Sequence, residues 1–329
     1  MSTQGTNQHY VPQFLLRPFG AGKKKSRLIW RLDKTNSSVA QVPVKEVASG
    51  PGFYDLFGSR SSLDPLMGQL ETATAPLIRR LIEREGIHLF SLPEKRKLAF
   101  FVVVQMLRTP AQFEDNARKW QVTQQILTKL TKKPLQNNIF PEGSDLRDSY
   151  VKTIAHLAPA LADHLMDKSW ILEECPPGVQ FYTSDNPVSR HNPIPAPPFR
   201  GNLGLGCEGI CVELPLSPRL CLSIACSKTV SELALRDIRY AYAFGAGRPL
   251  PLVRANVEFL NSLQVIHAER YVFAATNDFG MAQSMLAEHP DLRRGPRSLV
   301  IHPFGDSYPE SELERAKEIF QKRAGGNCR

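Results

Sequence analysis

The chain predicts an α+β fold, an antiparallel sheet from an N-terminal hairpin and central strands packed against a mainly helical layer. Three observations predict it. Residues 28–44 alternate apolar and polar side chains as a strand pair does, residues 64–168 carry helical periods, and residues 169–226 return to strands before helices resume. Strands, helices, strands and helices in that order argue for segregated layers rather than alternating βαβ units. Residues 1–305 are expected to form a single α+β domain, with a helical middle at 64–168 and a strand-rich part at 169–226. A C-terminal helix and frayed tail are expected over 306–329.

The polar lead of eight residues gives way to His9-Tyr10-Val11-Pro12-Gln13-Phe14-Leu15-Leu16-Arg17-Pro18-Phe19, where bulky apolar residues are mixed with His9, Gln13 and Arg17 at intervals of four. Regular spacing suggests a helix face, but Pro12 disfavours helical geometry at Val11. An extended entry followed at most by a short helix is expected. Residues 28–32 and 39–44, separated by Asp33-Lys34-Thr35-Asn36, read as a hairpin with a longer loop. Gly50-Pro51-Gly52 punctuates it, and Phe53-Tyr54 begins another short extended piece.

Leu66, Leu70, Ala73, Leu77 and Leu81 then mark one face of a helix, opened by Asp64 as capping residue with Pro65 behind it and ended by Gly86. Glu71 lies beside the apolar stripe. A second helix starts near Ser91 and runs to Arg108-Thr109. Its run Ala99-Phe100-Phe101-Val102-Val103-Val104 is apolar on every side, which marks a central, buried helix. A third helix is expected over 111–131, a loop over 132–146 and a fourth helix over 147–168. Residues 169–173 and 179–183 read as a strand pair across Pro176-Pro177-Gly178. Residues 186–209, rich in Pro and Gly, read as one long structureless loop. Strands at 210–216 and 220–225 follow, then helices near 227–240, 253–264, 278–288 and 308–323.

Hydrophobic residues make up 42% and charged residues 22% of the chain, so a sizeable core can be buried and global disorder is excluded. The net charge of +9 favours an anionic partner such as nucleic acid, a nucleotide or an anionic surface, with solubility the plain alternative. The charge is spread over Lys23-Lys24-Lys25, Arg79-Arg80, Lys132-Lys133 and Arg293-Arg294, without the interleaved aromatics of a single-strand stacking platform. The N-terminal lead carries no apolar signal run, and Leu98–Leu107 falls short of the about 20 residues a membrane span needs. A cytoplasmic protein without a membrane segment is expected.

Among the six cysteines, Cys207-x3-Cys211 and Cys221-x4-Cys226 lack the spacing of zinc knuckles, and the odd separation of the second pair points its members to opposite faces of a strand. They read as buried apolar thiols. Gly204-Leu205-Gly206-Cys207-Glu208-Gly209 matches the dinucleotide fingerprint by letter, but a Pro-rich loop precedes it and a strand follows, the reverse of the context that places phosphate on a helix.

Two polar groups stand out. Gln105 and Arg108, three apart on the buried helix, share a face. Either Arg108 pairs with Glu71 while Gln105 caps nearby backbone, or Arg108 lines a cleft and binds an anion. Tyr182-Thr183-Ser184-Asp185-Asn186-Pro187 ends a strand in turn chemistry, and the same turn presents Asp185 beside the long loop, where sites are built.

In order and spacing, the opening motif, Leu70-Glu71, Gln105-Met106-Leu107-Arg108-Thr109-Pro110, Phe181-Tyr182-Thr183-Ser184-Asp185-Asn186-Pro187-Val188 and Leu214-Pro215-Leu216-Ser217-Pro218 resemble the domain-of-unknown-function 4238 family, over about residues 8 to 275. The resemblance supplies a family and no activity. It implies that His9, Gln13, Arg17, Glu71, Gln105, Arg108, Ser184, Asp185 and Asn186 fit the family's polar pattern.

Two functions fit these residues. In the first, a nuclease or phosphodiesterase serving defence against foreign nucleic acid, His9 is general acid or base. Glu71 and Asp185 orient it or hold a divalent metal such as Mg or Mn through oxygen. Arg17 and Arg108 hold phosphate oxygens, with Gln13, Gln105, Ser184 and Asn186 as further substrate contacts. In the second, the same residues build a non-catalytic sensor or binding module for a nucleotide, nucleic acid or protein partner.

Overall fold

A computed structural model describes residues 7–23, 26–56, 61–118, 121, 143–195 and 201–294. The expected continuation of the third helix to 131, most of the 132–146 loop and the 306–329 helix and tail lie outside the described residues.

The opening motif folds as the proline dictates. Strand β1 (Asn7–His9) pairs antiparallel with β4 (Ser49–Pro51), Pro12 is extended, and a four-residue helix α1 (Gln13–Leu16) runs into a 3-10 turn over Arg17–Phe19. The hairpin is β2 (Leu28–Asp33) and β3 (Val39–Pro43). Asp33 Oδ1 accepts the Thr35 amide at 3.0 Å and its hydroxyl at 2.6 Å, closing the loop as an Asx-turn. Phe53 and Tyr54 form a turn; the extended piece is β5 (Asp55–Leu56), paired with β6 (Ser61–Ser62).

Helix α2 spans Asp64–Arg84 and ends in a left-handed Glu85. Asp64 sits in its first turn, with Leu63 in the capping position. Helix α3 (Leu92–Leu107) opens on a capping box in which Glu94 accepts the Ser91 amide at 2.9 Å. Its all-round apolar composition has the expected consequence: Phe101, Val102 and Val103 pack at the centre of the largest core, against Ile78 and Leu81 of α2, Leu15 and Leu16 of α1, and Ala158, Ala162 and Leu165 of α5 (Gly143–Met166). Arg108 and Thr109 break the helix before a new one, α4, begins at residue 110.

The strands separate into two principal sheets, not one. The larger places β12 (Leu250–Pro251), β7 (Ser169–Glu174), β11 (Leu220–Ala225), β10 (Cys211–Pro215) and β9 (Ser189–His191) side by side, antiparallel except for β12 beside β7. One face meets the α3 core through Leu214, Leu222 and Ile224. The other packs Ile171 and Cys221 against Val257 and Leu260 of α8 (Arg254–His267). Helices α6 (Ser227–Arg236) and α7 (Ile238–Ala246) sit on that second side, through Val230 and Ala243. The smaller sheet has the order β3, β2, β13 (Tyr271–Ala274), β8 (Thr183–Ser184) and packs on α9 (Gly280–Glu288) through Val272, Phe279 and Leu286.

Four expectations are corrected. Residues 169–173 and 179–183 do not pair, because the second segment crosses into the other sheet, where Thr183 and Ser184 meet β13. The 186–209 stretch carries strand β9, which closes the edge of the larger sheet. The helix read over 227–240 is two, divided at an extended Asp237 that accepts the Arg239 amide at 2.9 Å. The fourth helix begins at Gly143 rather than 147.

Candidate functional site

The sequence-selected residues fall into three groups. The first is a chain on the outside of α1. Arg17 Nη2 donates to Gln13 Oε1 at 2.9 Å, Gln13 Nε2 lies 3.4 Å from His9 Nε2, and that nitrogen lies 3.2 Å from the Lys45 carbonyl. His9 and Gln13 are half-buried and Arg17 is exposed. Burial, aided by the Arg17 charge, holds the His9 imidazole below its ordinary value.

The second group is a buried node under the opening motif. Arg108, its side chain 1% exposed, donates from Nη1 to Glu71 Oε1 at 2.9 Å and from Nε to Gln105 Oε1 at 2.9 Å. Gln105 Nε2 donates to the Tyr10 carbonyl at 3.0 Å, so α3 grips the entry segment through its main chain. Of the two alternatives for Arg108, the pairing with Glu71 is what the structure contains. It does not exhaust the guanidinium: Nη2 is buried with no hydrogen-bond partner among the described residues. Burial outweighs Arg108 at Glu71 and holds that carboxyl above its ordinary value.

The third group is the strand-end turn, which joins the second. Thr109 Oγ1 donates to Asn186 Oδ1 at 2.9 Å, Asn186 Nδ2 donates to the His267 carbonyl at 2.9 Å, and Ser184 Oγ donates to Gln264 Oε1 at 2.8 Å. Gln264 then donates to the Pro187 carbonyl at 3.0 Å. Asp185 points elsewhere. Its Oδ1 accepts the Glu269 amide, and its Oδ2 accepts the Arg270 and Tyr271 amides, all at 2.8 Å. Burial pushes this carboxyl up to about 6, against the pull of the three amides and of Lys34.

Asp185, expected to act in catalysis, is held here by main chain. It is 2% exposed, and both oxygens are engaged by main chain at the start of β13. Glu71 is engaged by Arg108, and His9, Glu71 and Asp185 do not gather as a ligand set among the described residues. Ser184 and Asn186, at 0% and 1% exposure, tie the turn to α8 and the start of α4.

Several residues the sequence reading passed over hold the site together. Asn261 and Gln264 lie three apart on the inner face of α8. Asn261 Oδ1 accepts the Tyr182 amide at 2.7 Å, and its Nδ2 donates to the Gln180 carbonyl at 2.9 Å. Both sit within the stripe formed by Val257, Leu260 and Leu263, which is the signal that marks them. Lys34, fully buried, donates to the Ala268 carbonyl at 2.7 Å, and burial brings its ammonium down to about 8.

Next to the node is a cavity of about 300 Å³, lined by Arg108 and mainly by apolar and aromatic groups: Phe53, Tyr54, Met67, Phe113 and Tyr150, with Glu114. Phe53 packs 5.2 Å from the Tyr10 ring and edge-on to Tyr54 at 5.0 Å. Residues 50–54, α2 and the segment after α3 thus meet at one concave surface, with Tyr10 of the opening motif packed on Phe53.

The glycines of the fingerprint-like stretch have a local explanation. The stretch is a series of turns leading into β10, as its context predicted, and Gly209 has φ +80°, where an added Cβ would lie 2.4 Å from Asn192 Oδ1. No helix among the described residues is long and apolar enough to cross a membrane. Cys175, Cys211 and Cys221 are buried free thiols as expected, while Cys207 and Cys226 are half-exposed. Neither the curated proteins nor the solved structures contain a match to the chain. The family described as protein of unknown function (DUF4238) matches residues 7–278, which take in every motif residue of the three groups, and the chain belongs to that family.

Proposed function

We propose that the chain is a binding module for a small ligand with a planar aromatic body and one acidic group, of which a nucleotide is the fitting class. The observation that carries this is the buried, unpartnered Nη2 of Arg108 beside an aromatic-lined cavity of about 300 Å³. An unmade hydrogen bond from a buried charged group is costly, and a phosphate or carboxylate oxygen would satisfy it. Phe53, Tyr54, Phe113 and Tyr150 offer stacking faces, and Glu114 offers an acceptor to an exocyclic amine. The volume suits a mononucleotide-sized ligand. The test is calorimetric titration with ribonucleoside monophosphates, for the wild type and for Arg108→Lys and Phe113→Ala. Binding that weakens tenfold or more in both variants supports the reading. Binding untouched by either removes it.

The hydrolytic reading has its own observation, the His9–Gln13–Arg17 chain. Its imidazole is held neutral near pH 7 with a cation nearby, as a general base for a phosphodiester would be. In this form a Mg or Mn ion would be held by the substrate, and a cytoplasmic role in defence against foreign nucleic acid belongs to the same proposal. Incubation with DNA and RNA, with and without Mg²⁺ or Mn²⁺, tests it: cleavage must fall in His9→Ala, and cleavage that survives that change rules out the assignment.

A further inference from the structure

A second cluster of reactive groups lies on the outer face of the larger sheet, away from the Arg108 cavity. Side chains alternate along a strand, and the register gathers the same parity from four neighbours. Cys211 of β10 faces His191 of β9, Glu213 of β10 faces Ser223 of β11, and Cys221 of β11 faces Glu173 of β7. Glu173, His191, Cys211, Glu213 and Ser223 line a cavity of about 310 Å³ that α6 and α8 cover.

The ligand atoms of His191, Cys211 and Glu213 all lie within 4.8 Å of one another, and so do those of Glu173, Glu213 and Cys221. His191 Nε2 is 3.3 Å from Glu213 Oε1, which also accepts the Ser223 hydroxyl at 3.1 Å. The Phe259 ring stands edge-on to the imidazole with centroids 5.0 Å apart and fixes its plane. Glu213, its side chain 4% exposed, is thus held in place by the Ser223 hydroxyl.

The charge balance is what this cluster lacks. No Lys or Arg is among the described residues lining the cavity, yet two carboxyls and the Cys211 thiol face it. The Oε2 of Glu173 is buried with no hydrogen-bond partner among the described residues. Two acids, an imidazole and one thiol around one cavity, with an orphaned carboxyl oxygen, make a donor set short of a cation. Imidazole, thiolate and carboxylate together suit a borderline-soft dication of the zinc class, and oxygen-seeking Mg²⁺ or Ca²⁺ would not use the sulfur.

We infer that His191, Cys211 and Glu213 bind a zinc-class dication, the thiolate and the Glu213 carboxylate balancing its charge, with Glu173 as a neighbouring carboxyl. Cys211 enters as the thiolate, and its proton leaves to solvent. Three protein ligands leave a fourth position toward the cavity, the pattern of zinc sites that take water or substrate. The paired-cysteine spacing of the sequence gave no sign of this, because the ligands come from strands paired in space.

Cobalt(II) added to chelator-treated protein tests the inference, since tetrahedral cobalt absorbs in the visible and a thiolate ligand adds a charge-transfer band in the near ultraviolet. One equivalent is expected to produce both, and zinc to abolish both. Cys211→Ser is expected to lose the charge-transfer band, and Glu213→Gln and His191→Ala to weaken binding tenfold or more. Circular dichroism checks that each variant folds. Should Glu213→Gln misfold, Cys211→Ser and His191→Ala decide the matter. Absence of a tetrahedral spectrum overturns the inference, as does a charge-transfer band that survives Cys211→Ser or is lost in Cys207→Ser or Cys226→Ser.

Discussion

Asp185→Ala and Asp185→Asn separate a structural role for this carboxylate from a chemical one. In the wild type two oxygens satisfy three amide donors, Glu269, Arg270 and Tyr271, each at 2.8 Å. Alanine leaves all three without an acceptor. A buried donor left unsatisfied costs about 1–3 kcal/mol. Partial exposure of Glu269 and Arg270 lets water recover part of that, so a total of about 3–6 kcal/mol is expected. Asparagine can keep its carbonyl where Oδ2 lies and retain two of the bonds, while its amide group meets the Glu269 N–H donor to donor. Its cost is about 1–3 kcal/mol. Urea unfolding followed by circular dichroism measures both. The expected order is wild type, then Asn, then Ala, with the Ala midpoint temperature lower by roughly 2–4 °C per kcal/mol lost. An Asp185→Ala protein within about 0.5 kcal/mol of wild type, the range of an ordinary surface change, would refute the reasoning. Any cleavage or binding lost in this variant must then be corrected for the unfolded fraction before a catalytic role is read into it.

Lys34 makes stability rise with pH. Its folded pKa of about 8 lies below the ordinary 10.5, so between those values the unfolded chain binds more protons and the native state gains as pH climbs. The gain reaches about 3 kcal/mol at most, and Lys34→Met should flatten the slope between pH 8 and 10 in urea titrations. Glu71→Gln leaves the Arg108 charge without its partner and is expected to cost about 1–3 kcal/mol, the lower range reflecting the 27% exposure of the Glu71 side chain. A double-mutant cycle with Arg108→Met should return a coupling above about 0.5 kcal/mol, and additive effects would deny the pair. Thr109→Val with Asn186→Ala tests the stitch between the two motifs in the same way, with loss of native amide-exchange protection at 183–189 as the readout. Gly209→Ala should destabilise the 201–210 turns, since the added methyl meets Asn192 and Ile194 at a φ of +80°; an unchanged midpoint would contradict the geometry.

What was legible in the sequence was local. Helices α2 and α3 announce themselves by period and by Pro65, Ser91 and Glu94, and the β2–β3 and β10–β11 pairs by alternation around polar turns. The missing strand, β13, is four residues long, too short for a period to show, yet it is central to the smaller sheet and pairs with β2 from across the chain. Which sheet residues 179–184 join is decided by Asn261 and Asp185 binding main chain about eighty residues away. No window on the sequence contains that choice. The face shared by Gln105 and Arg108 was legible from helical spacing. The direction of Asp185 was not, because its partners are backbone amides, which carry no sequence signature.

The two halves of the Ser184-Asp185-Asn186 turn explain why so much of the polar pattern is buried. Ser184 and Asn186 bind α8 and the entry to α4, while Asp185 between them binds the first amides of β13. Alternation at a strand end thus sends neighbouring side chains to opposite anchors, and one turn fastens the helical layer to the smaller sheet. A turn so used has little left for a substrate: Asp185 has both oxygens engaged, and Ser184 and Asn186 are sealed in. Arg108 differs. Glu71 and Gln105 take two of its three nitrogens, and the third has no hydrogen-bond partner among the described residues while its side chain borders an aromatic cavity. Surplus donor capacity next to open volume is the physical condition for recognition, and of the nine polar residues read from the motifs, Arg108 alone combines a buried, unpartnered donor atom with a place in that cavity's lining among the described residues.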